Sequence, residues 1–194
     1  MKPDIQVIEK PDWVSWDDIR QCLYEAHAVN REKGINMTHY LWSAEKIKGS
    51  LGEDGVMLVA LDGEKLVGTA AIADKNSNMW YARGRYAYIC FDAVLPDYTG
   101  IGIFKELDSK REIIAKEKGF PTLVFDTHSR NTHRLIIAKK NDYRLVRFFL
   151  AKSKDHYSVV MVKWLNGCPY SKFYCWMKFH ESKIKTIIRN HMKK

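Results

Sequence analysis

A strand, a glycine-containing turn and a helix follow one another between residues 85 and 119, and this segment constrains the fold most. RYAYICFDAV alternates, with Tyr86, Tyr88, Cys90 and Asp92 on one face and apolar residues on the other, which predicts a strand. LPDYTGIG supplies two glycines, and IFKELDSKREIIAKEKG has helical spacing and ends at Gly119. TLVFDT then predicts another strand. Because strand, helix and strand in succession need a crossover, we expect a mixed sheet with helices on its faces.

The flanking segments predict the remaining elements. IQVI is a short strand, a helix begins after Ser15 and ends near Gly34, and a second helix runs from Ser43 to about Leu51. VMLVALDGEKLVGTAAIA predicts a β-hairpin that turns at Asp62-Gly63, and residues 74–84 predict a loop. NTHRLIIAKKN is a helix opened by Asn131, and YRLVRFFLAK and YSVVMVKWL are two more strands.

Length and charge indicate one domain with a basic tail. The chain has 194 residues and a net charge of +9. Residues 170–194 hold seven basic residues and one acid, so the remaining 169 residues are nearly neutral. The charge is therefore weak evidence for nucleic acid, which we do not expect as a partner.

Cysteine spacing and hydropathy indicate the compartment. Cys22, Cys90, Cys168 and Cys175 form no CxxC pair and no zinc-ligand spacing, so we expect no metal site. No signal-peptide pattern opens the chain, and no apolar run approaches the ~18–20 residues of a membrane span. These features predict a cytoplasmic protein.

The two glycines at the strand-to-helix turn are compatible with a phosphate ligand. They allow the backbone to approach a ligand closely, and the free N–H groups at a helix start attract phosphate. The pattern matches neither GxxxxGK[ST] nor GxGxxG, because Lys105 stands at the third glycine position of the latter. On spacing alone, the glycines are equally compatible with a purely structural turn.

A longer stretch around these glycines resembles a known family. VLPDYTGIGIFKEL is similar to motif A of the GNAT superfamily of acetyl-CoA-dependent N-acetyltransferases, which reads roughly V-x-P-E-Y-R-G-x-G-I-G-x-x-L. The matching residues are Val94, Pro96, Asp97, Tyr98, Gly100, Gly102, Ile103 and Leu107. The element order also resembles that fold over about residues 5–165. The resemblance implies an α/β (α+β) fold with a mixed, mostly antiparallel central sheet flanked by helices. We therefore predict a GNAT-like domain over residues 1–165, followed by a C-terminal aromatic and basic helical extension over residues 166–194.

The resemblance implies a site for acetyl-CoA as co-substrate. Its pyrophosphate would bind the turn and helix start, formed by Thr99, Gly100, Ile101, Gly102, Ile103 and Phe104. Its pantetheine arm would pair with Ala93, Val94 and Leu95, and Asn131 stands where the family often places an Asn near the cofactor. Three positions depart from the family pattern. Thr99 replaces an Arg or Gln, Phe104 replaces a Gly or Ala, and Ala138 replaces a common Tyr general acid.

Acetyl transfer to an amine needs groups that move protons. Asp92 at the strand end is our first candidate for the base or a water relay, and His128 after TLVFDT is a second base candidate. Tyr143 is a candidate acid. Each has a structural alternative, since such residues also pack, form hydrogen bonds or face solvent.

The acceptor site is expected on two segments and one strand face. INMTHYLW offers His39, Tyr40 and Trp42, and the 74–84 segment offers Tyr81, with Tyr88 on the strand. Aromatic groups there would frame a sugar or an amine-bearing ring, or would instead cover the core.

The leading hypothesis is an N-acetyltransferase that moves acetyl from acetyl-CoA to a primary amine of a small molecule or amino sugar, by direct attack in a ternary complex. The alternative is a weakly active or inactive module of the same fold that binds CoA or a surface. In the tail, one helical stripe carries Phe173, Trp176 or Met177, His180, Ile184 and Ile187 or Ile188. We expect the stripe to dock on the body or on a second subunit in a homodimer, and a membrane surface is its other candidate partner.

Overall fold

The computed structural model describes residues 4–34, 41–151 and 156–192. Seven strands and six α-helices lie in these residues, and they form a mixed α/β fold with mostly antiparallel strand pairing and flanking helices, as predicted. None of the helices described is both long and apolar enough to cross a bilayer. The elements are β1 Ile5–Glu9, α1 Trp16–Ala26, α2 Ala28–Glu32, α3 Ala44–Gly49, β2 Val56–Asp62, β3 Lys65–Met79, β4 Ala82–Val94, α4 Ile103–Glu117, β5 Thr122–His128, α5 Thr132–Lys140, β6 Arg144–Leu150, β7 Tyr157–Trp164 and α6 Lys172–His191.

The chain divides into two compact units. The first comprises Met1–Lys75 and Ala87–Phe120. Its strands are neighbours in the order β1, β2, β3, β4, and β1–β2 and β2–β3 pair antiparallel. Ile19, Leu23 and Leu107 are fully buried, because α1 and α4 present these apolar residues at helical spacing. This unit contains the strand, turn and helix start that carry the predicted acetyl-CoA site.

The second unit comprises Asn76–Tyr86 and Pro121–Lys194. Its strands run in the order β5, β7, β6, all antiparallel. Tyr81, Val124, Val146 and Val162 form part of its buried core. The predicted division of the chain at residue 165 stays a prediction.

The segment predicted as a loop over residues 74–84 is a β-hairpin, so that prediction is wrong. Strand β3 continues to Met79, β4 begins at Ala82, and only Trp80 and Tyr81 form the turn. The hydroxyl of Ser77 donates to the carbonyl of Ala82 across the hairpin. A polar run such as KNSN extends as a strand because antiparallel pairing satisfies the backbone whatever the side chains are.

The first predicted helix is interrupted. Ser15 caps α1 as expected, since its hydroxyl accepts from the N–H of Asp18 at 3.0 Å. The helix ends at Ala26 with His27 as its C-cap, and α2 is a separate short helix. Asn131 caps α5 and Gly119 follows the end of α4, as predicted.

Helix α6 packs on β6 within the second unit. The N–H of Phe148 donates to the Ser182 hydroxyl at 2.8 Å, and the Thr186 hydroxyl donates to the Phe148 carbonyl at 3.1 Å. The apolar stripe is exposed, so the prediction that it docks on the body is wrong, while docking on a second subunit stays a prediction. The helix contacts the strand through a different face, where short hydroxyl side chains bond directly to the strand backbone.

Candidate active site

Strand β4 contains a strained residue next to the predicted site. Its buried and half-buried residues alternate as expected, with Ile89, Phe91 and Ala93 buried. Phe91 has a φ of +55°, which is unusual for a residue with a side chain. The hydroxyl of Thr69, fully buried on β3, donates to the Phe91 carbonyl at 2.7 Å and holds this conformation. Local strain of this kind at a strand end is typical of binding sites.

The end of β4 lies close to β3. The Leu95 N–H donates to the Val67 carbonyl at 2.9 Å, so this donor is already engaged within the protein. A Cβ on Gly68 would come within 3.0 Å of the Ala93 carbonyl oxygen. Glycine at 68 therefore permits the close approach of the two strands. The predicted pairing of Ala93, Val94 and Leu95 with the pantetheine arm stays a prediction.

The turn after β4 presents an open helix start. Gly100 and Gly102 have φ values of +81° and +100°, and a Cβ placed on either would meet no atom within 4 Å beyond the adjoining backbone. Gly102 is the N-cap of α4 and provides no side chain to cap it. The N–H groups of the first helical turn therefore donate no hydrogen bond to a capping side chain. An anion there would benefit from both these donors and the helix dipole.

Side chains around the turn fix its shape. The Thr99 hydroxyl donates to the Pro96 carbonyl at 2.9 Å, so its proton is used within the turn. The Tyr98 hydroxyl donates to Asp62 at 2.9 Å and ties the turn to the end of β2. Ile103 is buried, while Ile101 is exposed. The anion site consequently depends on backbone amides, with Lys105 the exposed cation of the first turn.

A buried arginine binds the carboxylate that was predicted as the base. Arg111 of α4 is fully buried, and its Nη1 donates to the Oδ1 of Asp92. Its Nη2 donates to Asp108 at 2.6 Å. The ion pair joins α4 to the strained end of β4 and fixes the direction of the Asp92 carboxylate. Arg111 was not predictable from the sequence, because no local pattern separates it from the many exposed basic residues of the chain.

His128 and Asn131 lie together at the end of β5 in the second unit. The Nδ1 of His128 accepts from the N–H of Arg130 at 3.0 Å, so the neutral ring carries its proton on Nε2. The ring stacks on His156, with centroids 4.6 Å apart. The side chain of Asn131 accepts from the N–H of Arg134 at 3.3 Å and donates to Thr127 at 3.2 Å. Asn131 thus has a clear structural role as a helix cap.

Two predicted tyrosines are core residues. Tyr143 is buried and packs edge-on against Phe125, with centroids 5.3 Å apart. Tyr81 is buried in the core of the second unit. Tyr88 is half-buried on β4. The predictions for His39 and Tyr40 lie outside the described residues.

A family model for the GNAT acetyltransferases matches residues 13–142. The chain belongs to the GNAT acetyltransferase family. The match contains the strained strand, the glycine turn and α4, and the family transfers acetyl groups from acetyl-CoA. No curated protein matches the chain.

Solved structures with this fold include acetyltransferases of several organisms. The ribosomal-protein-S18-alanine N-acetyltransferase of Escherichia coli has a TM-score of 0.62 and 13% identity, covering 86% of this chain and 97% of its own. Arabidopsis thaliana NAA60 in complex with a bisubstrate analogue has a TM-score of 0.58 and 17% identity, covering 82% and 99%. A GNAT family acetyltransferase of Elizabethkingia anophelis with acetyl-CoA bound has a TM-score of 0.59 and 17% identity, covering 84% and 99%. At these identities the likeness shows the fold alone.

The first unit has backbone features that suit the binding of acetyl-CoA, the acetyl donor of this family. The uncapped start of α4 and the open Gly100 and Gly102 suit a pyrophosphate. The strained Phe91 distorts β4 just before Ala93 and Val94. These features are backbone properties, so the replacement of the usual Arg or Gln by Thr99 leaves them intact.

Cys90, two residues before Asp92 on β4, is a poor nucleophile. Burial, reinforced by the Asp92 charge, raises the pKa of the Cys90 thiol. Burial also raises the pKa of Cys22 to about 12 and that of Cys175 to about 11. These three thiols are protonated near neutral pH, and a protonated thiol does not attack a thioester efficiently.

Proposed function

We propose that the protein is an N-acetyltransferase that moves the acetyl group of acetyl-CoA to a primary amine of a small molecule or amino sugar in the cytoplasm. The observation that carries the proposal is the uncapped start of α4, where Gly100 and Gly102 leave the first-turn amides open beside the strained end of β4. The four free cysteines support a reducing compartment.

The donor is held mainly by backbone groups. The N–H groups at the start of α4 bind the pyrophosphate, and Lys105 adds a positive charge at the rim. Ala93 and Val94 offer backbone groups to the pantetheine amides. Because the Thr99 hydroxyl donates to Pro96, Thr99 stabilises the turn rather than donating to phosphate.

The acetyl group passes by direct attack of the amine in a ternary complex. A covalent route through a cysteine would need a thiolate, and burial disfavours the thiolate at Cys22, Cys90 and Cys175. A relative of the same fold, NAA60 of Arabidopsis thaliana, was solved with a bisubstrate analogue, a molecule that joins features of both substrates.

We assign the removal of the amine proton to Asp92, with His128 as the alternative candidate for this role. Asp92 takes the amine proton through a water, while Arg111 fixes the direction of its carboxylate through Oδ1. His128 is the alternative base, and its Nδ1 accepts a hydrogen bond from the N–H of Arg130. Tyr143, buried against Phe125, is the candidate acid for the leaving thiolate.

The donor site is tested by isothermal calorimetry with acetyl-CoA. We expect micromolar binding by the wild-type chain and at least tenfold weaker binding by Gly102→Val, whose side chain would strain the helix start. Gly119→Val is the matched control, since Gly119 also has a positive φ but follows the end of α4. If the wild-type protein gives no heat of binding at high micromolar acetyl-CoA, the proposal that it is an acetyltransferase is refuted.

The acceptor is tested by following thiol release from acetyl-CoA with amino sugars, polyamines, amino acids and peptides. We expect the largest kcat/KM with an amino sugar or another small amine. Activity on peptides alone would refute the small-molecule acceptor while leaving acetyl transfer intact.

The alternative is a module of this fold that binds CoA without catalysis. It is favoured by Ala138, which is buried in α5 at the position of the family's common general acid. Acetyl-CoA binding without turnover on any amine class would establish it. With an active acceptor, a kcat of His128→Gln and Asp92→Asn equal to that of the wild type across pH would refute both assigned roles.

A further inference from the structure

Helix α6 has two faces of opposite character. The face on β6 carries the buried Cys175 together with Ser182 and Thr186, which bond to the backbone of Phe148. The other face is the exposed apolar stripe, formed by Phe173, Trp176, Met177, Ile184, Ile187 and Ile188. Trp176 is 57% exposed and Ile184 is 58% exposed, so the stripe contributes little to the packing of the helix on the strand.

The stripe is unusual for the surface of a globular protein. Its residues lie three or four apart over four helical turns, except between Met177 and Ile184, where the half-buried His180 occupies the same face. Phe173 stacks on Trp176 at its amino-terminal end, with centroids 5.9 Å apart. Contiguous exposed apolar surface of this kind marks an interaction site.

Positive charge lies on both sides of the stripe. The exposed Lys172 and Lys183 lie along one side, and the exposed Lys185 and Arg189 lie along the other. Glu181 is the one acidic residue in the sequence of α6, and Lys178 and Lys185 both bind it. These two lysines offset the negative charge of Glu181, and the stripe offers no acidic group to a partner.

This charge pattern selects among the partners that an apolar strip could bind. Two copies of α6 packed through their stripes would bring lysines against lysines, with Glu181 already paired. A nucleic acid would engage the lysines but leave the central apolar residues exposed to water. An anionic lipid surface satisfies both, because the apolar side chains enter the acyl boundary while the cations meet headgroup phosphates.

We propose that α6 binds the surface of an anionic membrane, with its apolar stripe inserted at the headgroup boundary and its opposite face kept on β6. Trp176 and Phe173 anchor the amino-terminal end, since aromatic rings favour the interfacial region. Lys172, Lys183 and Arg189 supply the charge that makes binding depend on anionic lipid and on salt.

The test is flotation of the full chain with vesicles of phosphatidylglycerol and phosphatidylcholine in equal parts, compared with phosphatidylcholine alone. We expect the wild-type protein to float with the anionic vesicles and to stay at the bottom with the neutral ones. The stripe variant is Trp176→Ser, Ile184→Ser and Ile188→Ser combined. It should lose at least about tenfold in partitioning, given about 0.8 kcal/mol for each CH₂ removed from water and tenfold per 1.4 kcal/mol.

Two matched controls separate the stripe from general surface effects. Ile113→Ser with Ile136→Ser removes two isoleucines that are 55% exposed on other helices, and binding should not change. For charge, Lys172→Gln with Lys183→Gln should weaken binding about tenfold at low salt, at about 1 kcal/mol for each cation. Lys139→Gln with Lys140→Gln on α5 should have no effect.

Four results would overturn the proposal. One is a wild-type chain that does not float with anionic vesicles at low salt. Another is a correctly folded stripe variant, judged by circular dichroism, that floats as well as the wild type. The third is sedimentation equilibrium showing a wild-type dimer that becomes a monomer in the stripe variant, which would assign the stripe to a second copy. Binding of an oligonucleotide without any vesicle binding would likewise overturn it.

Discussion

The buried Arg111 offers the sharpest test of how this GNAT domain is held together. Its guanidinium is fully buried, whereas the side chains of Asp92 and Asp108 are 23% and 11% exposed. Replacing Arg111 with Met keeps most of the volume but leaves two largely buried carboxylates without their cation. Breaking a buried pair in this way costs about 3–5 kcal/mol.

That free energy translates into a measurable change in melting temperature. In a chain of this size each kcal/mol lowers the midpoint by about 2–4 °C, so Arg111→Met should lower it by about 6–20 °C. Differential scanning calorimetry and urea unfolding, both at neutral pH, measure the effect. Because Asp92 follows the strained Phe91, the variant should also raise the KM for acetyl-CoA.

The control lies five residues further along the same helix. Lys116 binds Glu112 at 2.9 Å, and its side chain is 53% exposed. Lys116→Met should therefore change stability by less than about 0.5 kcal/mol. Converting Arg111, Asp92 and Asp108 together to Met, Asn and Asn should recover part of the loss, since no unpaired charge remains. An Arg111→Met variant within about 1 kcal/mol of the wild type would refute this reasoning.

Three further predictions concern the turn, a thiol and the tail. Gly102→Ala should cost about 1–2 kcal/mol in stability and weaken acetyl-CoA binding in calorimetry, whereas Gly119→Ala should cost a similar amount of stability and leave binding unchanged. Burial raises the pKa of Cys22 to about 12, so near pH 8 iodoacetamide should alkylate it in the native protein about 1000-fold more slowly than a thiol with an ordinary pKa. Mass spectrometry at timed intervals measures the rate. Equal rates for Cys22 and the half-exposed Cys168 would contradict this prediction. Ser182→Ala should reduce stability to urea by about 1–3 kcal/mol by leaving a part-buried N–H of β6 unpaired, and an unchanged midpoint would show that water replaces the hydroxyl.

The Cys22 thiol also predicts a direction for alkaline stability. Its folded pKa of about 12 lies above the reference value of 9.0, so the unfolded chain loses the proton first. The stability contributed by the buried thiol is complete below pH 9 and is lost as the pH rises toward 12. Cys22→Ala should remove this contribution, and an identical fall of the urea midpoint in variant and wild type over that range would contradict the assignment.

Periodicity and turn chemistry made much of the fold predictable. The alternation in β4, the Asp62-Gly63 turn and the caps at Ser15 and Asn131 all follow from local rules, and the structure has them. The polar end of the β3–β4 hairpin did not follow, because its strands are specified by backbone pairing rather than by an apolar pattern.

The candidate site was less predictable, because its decisive features are not local. The glycine turn was evident from the sequence, and so was the presence of Lys105 near it. The positive φ of Phe91 and the burial of Arg111 depend on contacts with Thr69, Asp92 and Asp108, which come together only in the folded chain. In α6 the amphipathic pattern was correctly identified, but hydroxyl bonds to Phe148 reversed which face meets the body.

The contact between α6 and β6 bears on how the basic tail can be studied. Strand β6 is the last strand of its sheet, and Ser182 and Thr186 occupy both backbone groups of Phe148. A chain shortened before residue 170 would present that strand edge bare, which is the geometry through which strands of separate molecules join and aggregate. By covering this edge, α6 keeps β6 from pairing with a strand of another molecule. Loss of function after such a truncation could therefore result either from aggregation through the exposed edge of β6 or from loss of the binding surface of α6.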